Sequence, residues 1–349
     1  HHSTMELAAA SFVNNIFVLV ILFALGFNFA LTPIIGPFIG REEHDKAGGV
    51  MKAAAYANTM LTIGLVVSAV AFYFTLPFFG QPDELLPLMK PYLLVNILSI
   101  PFAVAGCQFK QFFDTIGRTK VSMYVLVSAN ILNIVGNYAF IYGHWGCPEL
   151  GLLGAGLSTA VSRIVIALSF FIIYVRSKSC RVFFNGTVNA KGCEVKTHFR
   201  KINTLGWMSA IQSTIECGAF SLVAIFVGWI GTKPLAAHQV MITLSMFFYN
   251  IYLGIATAVS IRVSHFVGMQ ERQAIIEVTK SGFFIIIAIA TIMAIPIVLF
   301  RHDIGSVFSS DPLVGQLVAA TVIPLIVYQV SDAFQCCLAN ALRGLGEMR

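Results

Sequence analysis

The chain has 349 residues, 57% hydrophobic and 11% charged, with a mean hydropathy of +0.82 and a formal net charge of +6. Soluble domains carry charge on about a quarter of their residues, so this composition excludes an ordinary water-soluble enzyme and points to an integral membrane protein. No glycine-rich phosphate loop is present, which argues against ATP-driven work.

Apolar runs long enough for spans of about 20 residues recur along the whole chain. In order they are 11–38, 53–78, 91–114, 121–142, 152–176, 203–230, 236–266, 279–300 and 314–340. Runs this long and uniformly apolar predict helices, not the alternating strands of a barrel, so the expected fold class is all-α. Short loops rich in Gly, Pro and charge separate them, such as "FFGQPDELLPLMKP" and "GHWGCPELG". The connection around 176–201 is longer, polar and basic. It is expected to divide the chain into an N-terminal lobe at 1–178, a linker at 179–201 and a C-terminal lobe at 202–349.

Assigning alternate loops to opposite sides places eighteen Lys and Arg residues on one side and three, Lys90, Lys233 and Arg301, on the other, with Arg163 inside a span. The asymmetry predicts that the basic loops and linker are cytoplasmic. Topology therefore accounts for the net charge, and no nucleic-acid partner is implied. The sixteen acids sort in the same way: fourteen lie in loops or at helix ends, and Glu216 and Asp332 lie deep in spans. A carboxylate in hydrocarbon is stable only when it holds a proton or faces a cation, so these two are the leading functional candidates.

The halves also repeat. "LAAASFVNNIFVLVILFALGFNFALTPIIGPFIG" from Leu7 matches "LAAHQVMITLSMFFYNIYLGIATAVSIRVSHFVG" from Leu235 at a constant offset of 228, with eight identities in 34 positions. A helix with a central proline follows in each half, Pro101 and Pro324, and then a glycine among basic residues. Six helices separate the copies, so both enter the membrane from the same side. Parallel bundles related by an axis along the membrane normal imply a central cleft and alternating access. The repeat further predicts twelve helices in two sixes, of which these nine are the second to the tenth, so the sequence reads as a fragment. "HH" at the start then reads as the end of a loop or as tag residues.

At this point several segments resemble the multidrug and toxic compound extrusion (MATE) transporters, the NorM-like branch in particular. They are "ELAAASF" and "PLAAHQV", "LNIVGNYAFIYG" with "PELGLLGAGLSTAVSR", "GWMSAIQSTIECGAF", and "YQVSDAFQCCLANALRG". The resemblance implies two six-helix bundles and secondary efflux of cationic or amphipathic compounds in exchange for Na⁺ or H⁺. It places Glu216 and Asp332 at the family's acidic positions on helices 7 and 10, which bind the coupling cation or proton. Tyr328 and Gln335 share a helical face with Asp332, at i−4 and i+3. With Gln212, Asn133 and Asn137 they form the supporting or substrate-lining set. The family's acid on helix 1 has no position here. No cofactor is implied beyond the coupling ion, with Na⁺ itself a candidate at Glu216 and Asp332. The expected setting is a monomer in the bacterial inner membrane.

Other features read more plainly. Asn130, Asn133 and Asn137 form a polar stripe, suited to helix packing or to lining a cavity. Arg163 reads first as a bridge between helices, with a substrate-side charge as the alternative. His238 reads as interfacial, and the glycines of "GLLGAG" as a packing face. The "NGT" sequon at 185 falls in the loop assigned to the cytoplasm and is expected to go unused. The seven cysteines show neither disulfide nor zinc spacing. The alternative function is a lipid-linked oligosaccharide flippase of the same superfamily, which would carry several deep cations. A membrane enzyme would cluster His, Asp or Ser near one face, and a channel would repeat a pore ring; neither pattern appears.

Overall fold

The computed structural model of the chain describes residues 4–79, 84–308 and 311–346. The histidines at the start, the loop at 80–83 and the charged end at 347–349 lie outside the described residues. Among the described residues there is no strand. The helices are α1 (Thr4–Asn28), α2 (Leu31–Gly40), α3 (His44–Thr75), α4 (Leu86–Thr115), α5 (Thr119–Tyr142), α6 (Leu152–Arg176), α7 (Arg181–Asn189), α8 (Gly192–Ile230), α9 (Thr232–Met269), α10 (Arg272–Leu299), α11 (Arg301–Phe308) and α12 (Pro312–Leu345).

Nine helical stretches among them are long and apolar enough to cross a bilayer, with α1 and α2 together counting as one, and each overlaps one predicted segment. This is a multi-pass membrane protein. Two helices start earlier than hydropathy suggests: α3 at His44 and α8 at Gly192. Their first turns carry charges, which a hydropathy reading assigns to loops although the helix simply continues into water.

The break between α1 and α2 has a local cause. Pro33 has no N–H for the carbonyl of Phe29, and its ring crowds that carbonyl, so the chain turns at residues 29–30 before resuming. Ile261 stands at the repeat-equivalent position of α9, and α9 runs unbroken from Thr232 to Met269.

The repeat is visible in backbone detail. After α2, Glu42 adopts φ 61°, and Glu43 N–H donates to the Phe38 carbonyl at 2.8 Å. After α9, Gln270 adopts φ 62°, and Glu271 N–H donates to the Phe266 carbonyl at 3.1 Å. Both pairs are related by the offset of 228, and both turns use a left-handed residue to end one span and start the next.

The chain divides into two compact units, residues 1–214 and 215–349, with the boundary inside α8. In unit 1, α4 packs on α6, α3 and α1, and α5 lies along α6. Its core includes Phe27, Leu31, Ile35, Phe112, Phe113 and Phe170. The linker region is itself structured: α7 rests on α3, with Cys180 and Phe183 buried. Gly48 and Gly186 permit this approach, because a Cβ on either would meet the backbone of the other helix, at Phe183 and at Asp45 respectively. In unit 2, α9 packs along α12, and α10 closes against both. Phe248, Tyr252, Ala256, Ile286 and Cys337 fill the centre.

Candidate functional site: the carboxylates of unit 2

Glu216 lies on α8 just past the unit boundary and is half-buried. Asp332 lies in α12 and is only 6% exposed. The two carboxylates are within electrostatic range of each other, and Tyr249 of α9 is within range of both. Tyr328, one turn before Asp332, directs its hydroxyl at the Asp332 Oδ1, 3.5 Å away. Its ring meets the edge of Phe220, at a centroid separation of 6.4 Å, which brings α8 to α12 one turn beyond Glu216. The structure thus assembles Glu216, Asp332 and Tyr328 in one place. Gln335 is exposed on α12 and makes no hydrogen bond to the described residues.

Three more polar groups belong here that sequence reading missed. Gln329 is buried, and its Nε2 donates to the Ser245 hydroxyl of α9 at 2.7 Å, while its Oε1 is buried without a partner among the described residues. Tyr252 is fully buried, and its hydroxyl likewise lacks a partner among the described residues. Ser245, Tyr249 and Tyr252 stand at i, i+4 and i+7, so α9 turns a polar stripe toward α12. That spacing was available in "SMFFYNIY", but the surrounding apolar residues hide it. Buried oxygens without partners are rare and costly; here Tyr252 is within electrostatic range of Asp332, and Gln329 stands three residues before it on α12. Oxygen donors of this kind suit a hard cation or a water, not a soft metal. Among the described residues no group of three or more His, Cys, Asp or Glu could hold a metal ion.

The other predicted positions lie in unit 1. Asn133 donates to the hydroxyls of Ser158 and Thr159 on α6, at 3.3 and 3.5 Å, and Asn137 donates to the Asn133 Oδ1 at 3.2 Å. Ser158 returns a bond to the Asn133 carbonyl at 2.9 Å. Asn133 therefore joins α5 to α6, whereas Asn137 bonds Asn133 within α5 and its own Oδ1 is buried without a partner among the described residues. Asn130 is exposed. Gln212 is exposed on α8, one turn before Glu216. Two of the three "GLLGAG" glycines are packing positions: a Cβ on Gly154 would strike the Phe140 backbone, and one on Gly156 would lie 2.8 Å from the Tyr92 ring, whereas Gly151 takes a positive φ at the start of α6. Arg163 bridges α6 to α4, through the Ser99 hydroxyl at 2.6 Å and the Asn96 Oδ1 at 3.3 Å. Asp114, assigned by sequence to a helix end, is there but buried, paired with Lys110 at 2.8 Å.

A family model described as MatE matches residues 1–139 and 209–349 of this chain. The chain belongs to the MATE family. The chain is 25% identical to the probable multidrug resistance protein NorM of Photorhabdus laumondii over 352 residues, covering 100% of this chain and 76% of that protein. It is 27% identical to the multidrug resistance protein NorM of Vibrio cholerae, covering 99% of this chain and 75% of that one. The eukaryotic MATE transporter AtDTX14 superposes with a TM-score of 0.86 at 18% identity, covering 100% of this chain and 77% of that one. A MATE structure in the straight conformation gives a TM-score of 0.86 at 20% identity, over 99% of this chain and 76% of the other. At these identities the structural likeness speaks for the fold alone. The MATE fold and the family membership together make this a membrane transporter.

Proposed function

We propose that this MATE protein is a secondary multidrug efflux antiporter that exports cationic or amphipathic compounds in exchange for Na⁺ or H⁺. The carrying observation is that Glu216 and Asp332 lie within electrostatic range of each other in unit 2, with the Tyr328 hydroxyl directed at Asp332 and the buried Arg343 within range of Glu216. Two carboxylates withdrawn from water need positive charge, and a proton, a Na⁺ ion and a substrate cation all supply it. They cannot all do so at once, so binding of one displaces another, and exchange follows when the site opens to one side at a time. The NorM names of its relatives support efflux of many compounds, and an apolar surround with few polar groups tolerates such variety. The duplicated halves support alternating access. We place the protein in a bacterial plasma membrane with its basic loops inside, on the strength of their charge excess.

Everted vesicles containing the protein are expected to expel a fluorescent cationic dye when a Na⁺ or H⁺ gradient is imposed. Glu216→Gln and Asp332→Asn should each abolish coupled efflux. Full activity in both variants would overturn the assignment. Repeating the assay with H⁺ alone identifies the coupling ion, since carboxylates serve either.

A further inference from the structure

Unit 1 carries a cation in the middle of one of its spans. Arg163 is the twelfth of the 25 residues of α6, well away from either end. Its Nη1 is held by Ser99 and Asn96, and its guanidinium carbon lies 5.1 Å from the centroid of the Phe17 ring. These partners are supported in turn. The Asn96 amide donates to the Tyr92 carbonyl at 3.0 Å, and the Tyr92 hydroxyl donates to the Asn14 Oδ1 at 2.8 Å. Every partner is neutral. The remaining N–H groups of the fork bond none of the described residues. The described carboxylates of unit 1 stand at helix ends or in loops, and the buried one, Asp114, is occupied by Lys110.

A bridge between α4 and α6 does not require a charge, since an amide or hydroxyl would make the same bonds at lower cost in a membrane. What a guanidinium adds is a permanent positive charge and a planar fork that matches a carboxylate in two parallel hydrogen bonds. Here one nitrogen is fixed, a ring face steadies the cation, and the rest of the fork is uncommitted. That is a preorganised anion receptor, not a completed ion pair.

We propose that Arg163 forms an anion-recognition subsite in unit 1 that takes the carboxylate of zwitterionic amphipathic substrates. The proposal rests on the antiport reading for transport, while recognition of the carboxylate rests on the residues of unit 1 alone. Asn96 and Ser99 are positioning residues for the guanidinium.

The test uses tetramethylrhodamine, a zwitterion with a free carboxylate, and its methyl ester, a cation with the same ring system. Binding of each to the purified protein is read by fluorescence anisotropy, and transport of each by proteoliposome flux. Arg163→Gln should lower the acid-to-ester ratio about ten-fold or more in both measurements. Arg163→Lys, which keeps the charge and loses the fork, should give a smaller fall. A ratio unchanged in Arg163→Gln overturns the proposal, whether both dyes fall together or neither does, and so does a wild type that binds the ester and not the acid. If Arg163→Gln fails to fold, Ser99→Ala decides: a lowered ratio supports the subsite, and an unchanged one overturns it. Selective binding that depends on Arg163 in a wild type unable to expel the ester would sink the antiport reading and leave the subsite standing.

Discussion

The segment α1 to α4 and the segment α9 to α12 are two copies of one design, and their interiors have been filled in opposite ways. In the first copy, Asn28 and Asn58 are buried and exchange two amide hydrogen bonds of 3.0 Å. The offset of 228 takes these positions to Ala256 and Ile286, buried together in the apolar core of unit 2. Thr32 of α2 joins Gln111 and Thr115 of α4 through hydroxyl and amide contacts of 2.6 and 3.1 Å. The second copy has Ser260 at the equivalent of Thr32, and Gly344 at the equivalent of Thr115 by the offset of 229 that Gly117 and Gly346 share, with the Gly344 backbone drawn close to the Ser260 carbonyl. The first copy is stitched by polar side chains bonded to one another. The second is packed by small and apolar ones, and its polar groups gather instead around Asp332. A duplicated backbone thus tolerates two solutions, and Asp332 sits in the copy where Gln329 and Tyr252 keep buried oxygens without partners among the described residues.

Interchanging elements of the two copies gives the sharpest ways to break this contrast. The largest effect is expected from Asn28→Ala, which strands the Asn58 Oδ1 in the core and should destabilise unit 1 by about 1–3 kcal/mol. Adding Asn58→Ile, so that the first copy carries the second copy's pair, should recover most of the loss. Thermal unfolding in detergent of the single and double variants measures the coupling, and simple additivity would refute the stitching account.

Next comes Gly48, whose repeat equivalent is the exposed Ile276. A methyl group at Gly48 would collide with the α7 backbone, so Gly48→Ala should lift α7 from α3 at a cost of about 1–3 kcal/mol, confined to that contact. Hydrogen exchange should rise in residues 181–189 and not in α4. Uniform protection would show that α7 is held by something else.

The smallest effect concerns the pair of Lys233 and Asp311, 3.2 Å apart, where the first copy has Met5 in place of Lys233. The Leu313 N–H and the Lys233 ammonium hold the Asp311 carboxyl below its usual range. A depressed folded-state value means the contribution is present above the ordinary carboxylate range and is lost as the pH falls through the lowered one. Both side chains are open to solvent, so the effect should be slight. Asp311→Asn should melt a little earlier than wild type at neutral pH and match it in strong acid. A gap that persists in acid would show that the ionised pair is not its source.

Much of this molecule can be read without coordinates. Each span is announced by its apolar run, because a bilayer leaves the backbone no choice but to bond within the helix. Glu216 and Asp332 stand out because charge in such runs is expensive. What escapes is anything whose signal is not charge. Gln329, Ser245 and Tyr252 look like ordinary residues of amphipathic helices, and their role depends on which face α9 turns to α12. The linker escaped too: "RVFFNGTVN" looks like a loop until Gly48 and Gly186 let it lie against α3. The spacing of Asn133 and Asn137 leaves packing and cavity lining open, and only the tertiary structure shows that Asn133 reaches Ser158 of α6 while Asn137 bonds Asn133.

By itself, then, the sequence determined the membrane class, the succession of spans, the parallel duplication and the two acids at depth. Each follows from composition and periodicity, which act through local transfer free energies and the spacing of residues along one helix. Tertiary structure alone decided that Glu216 of α8 stands within range of Asp332 and Tyr249, that Arg163 is bound on one side only, and that the two copies are filled differently. Those are relations between residues tens to hundreds of positions apart, and no local preference encodes them; they exist only once the helices have packed.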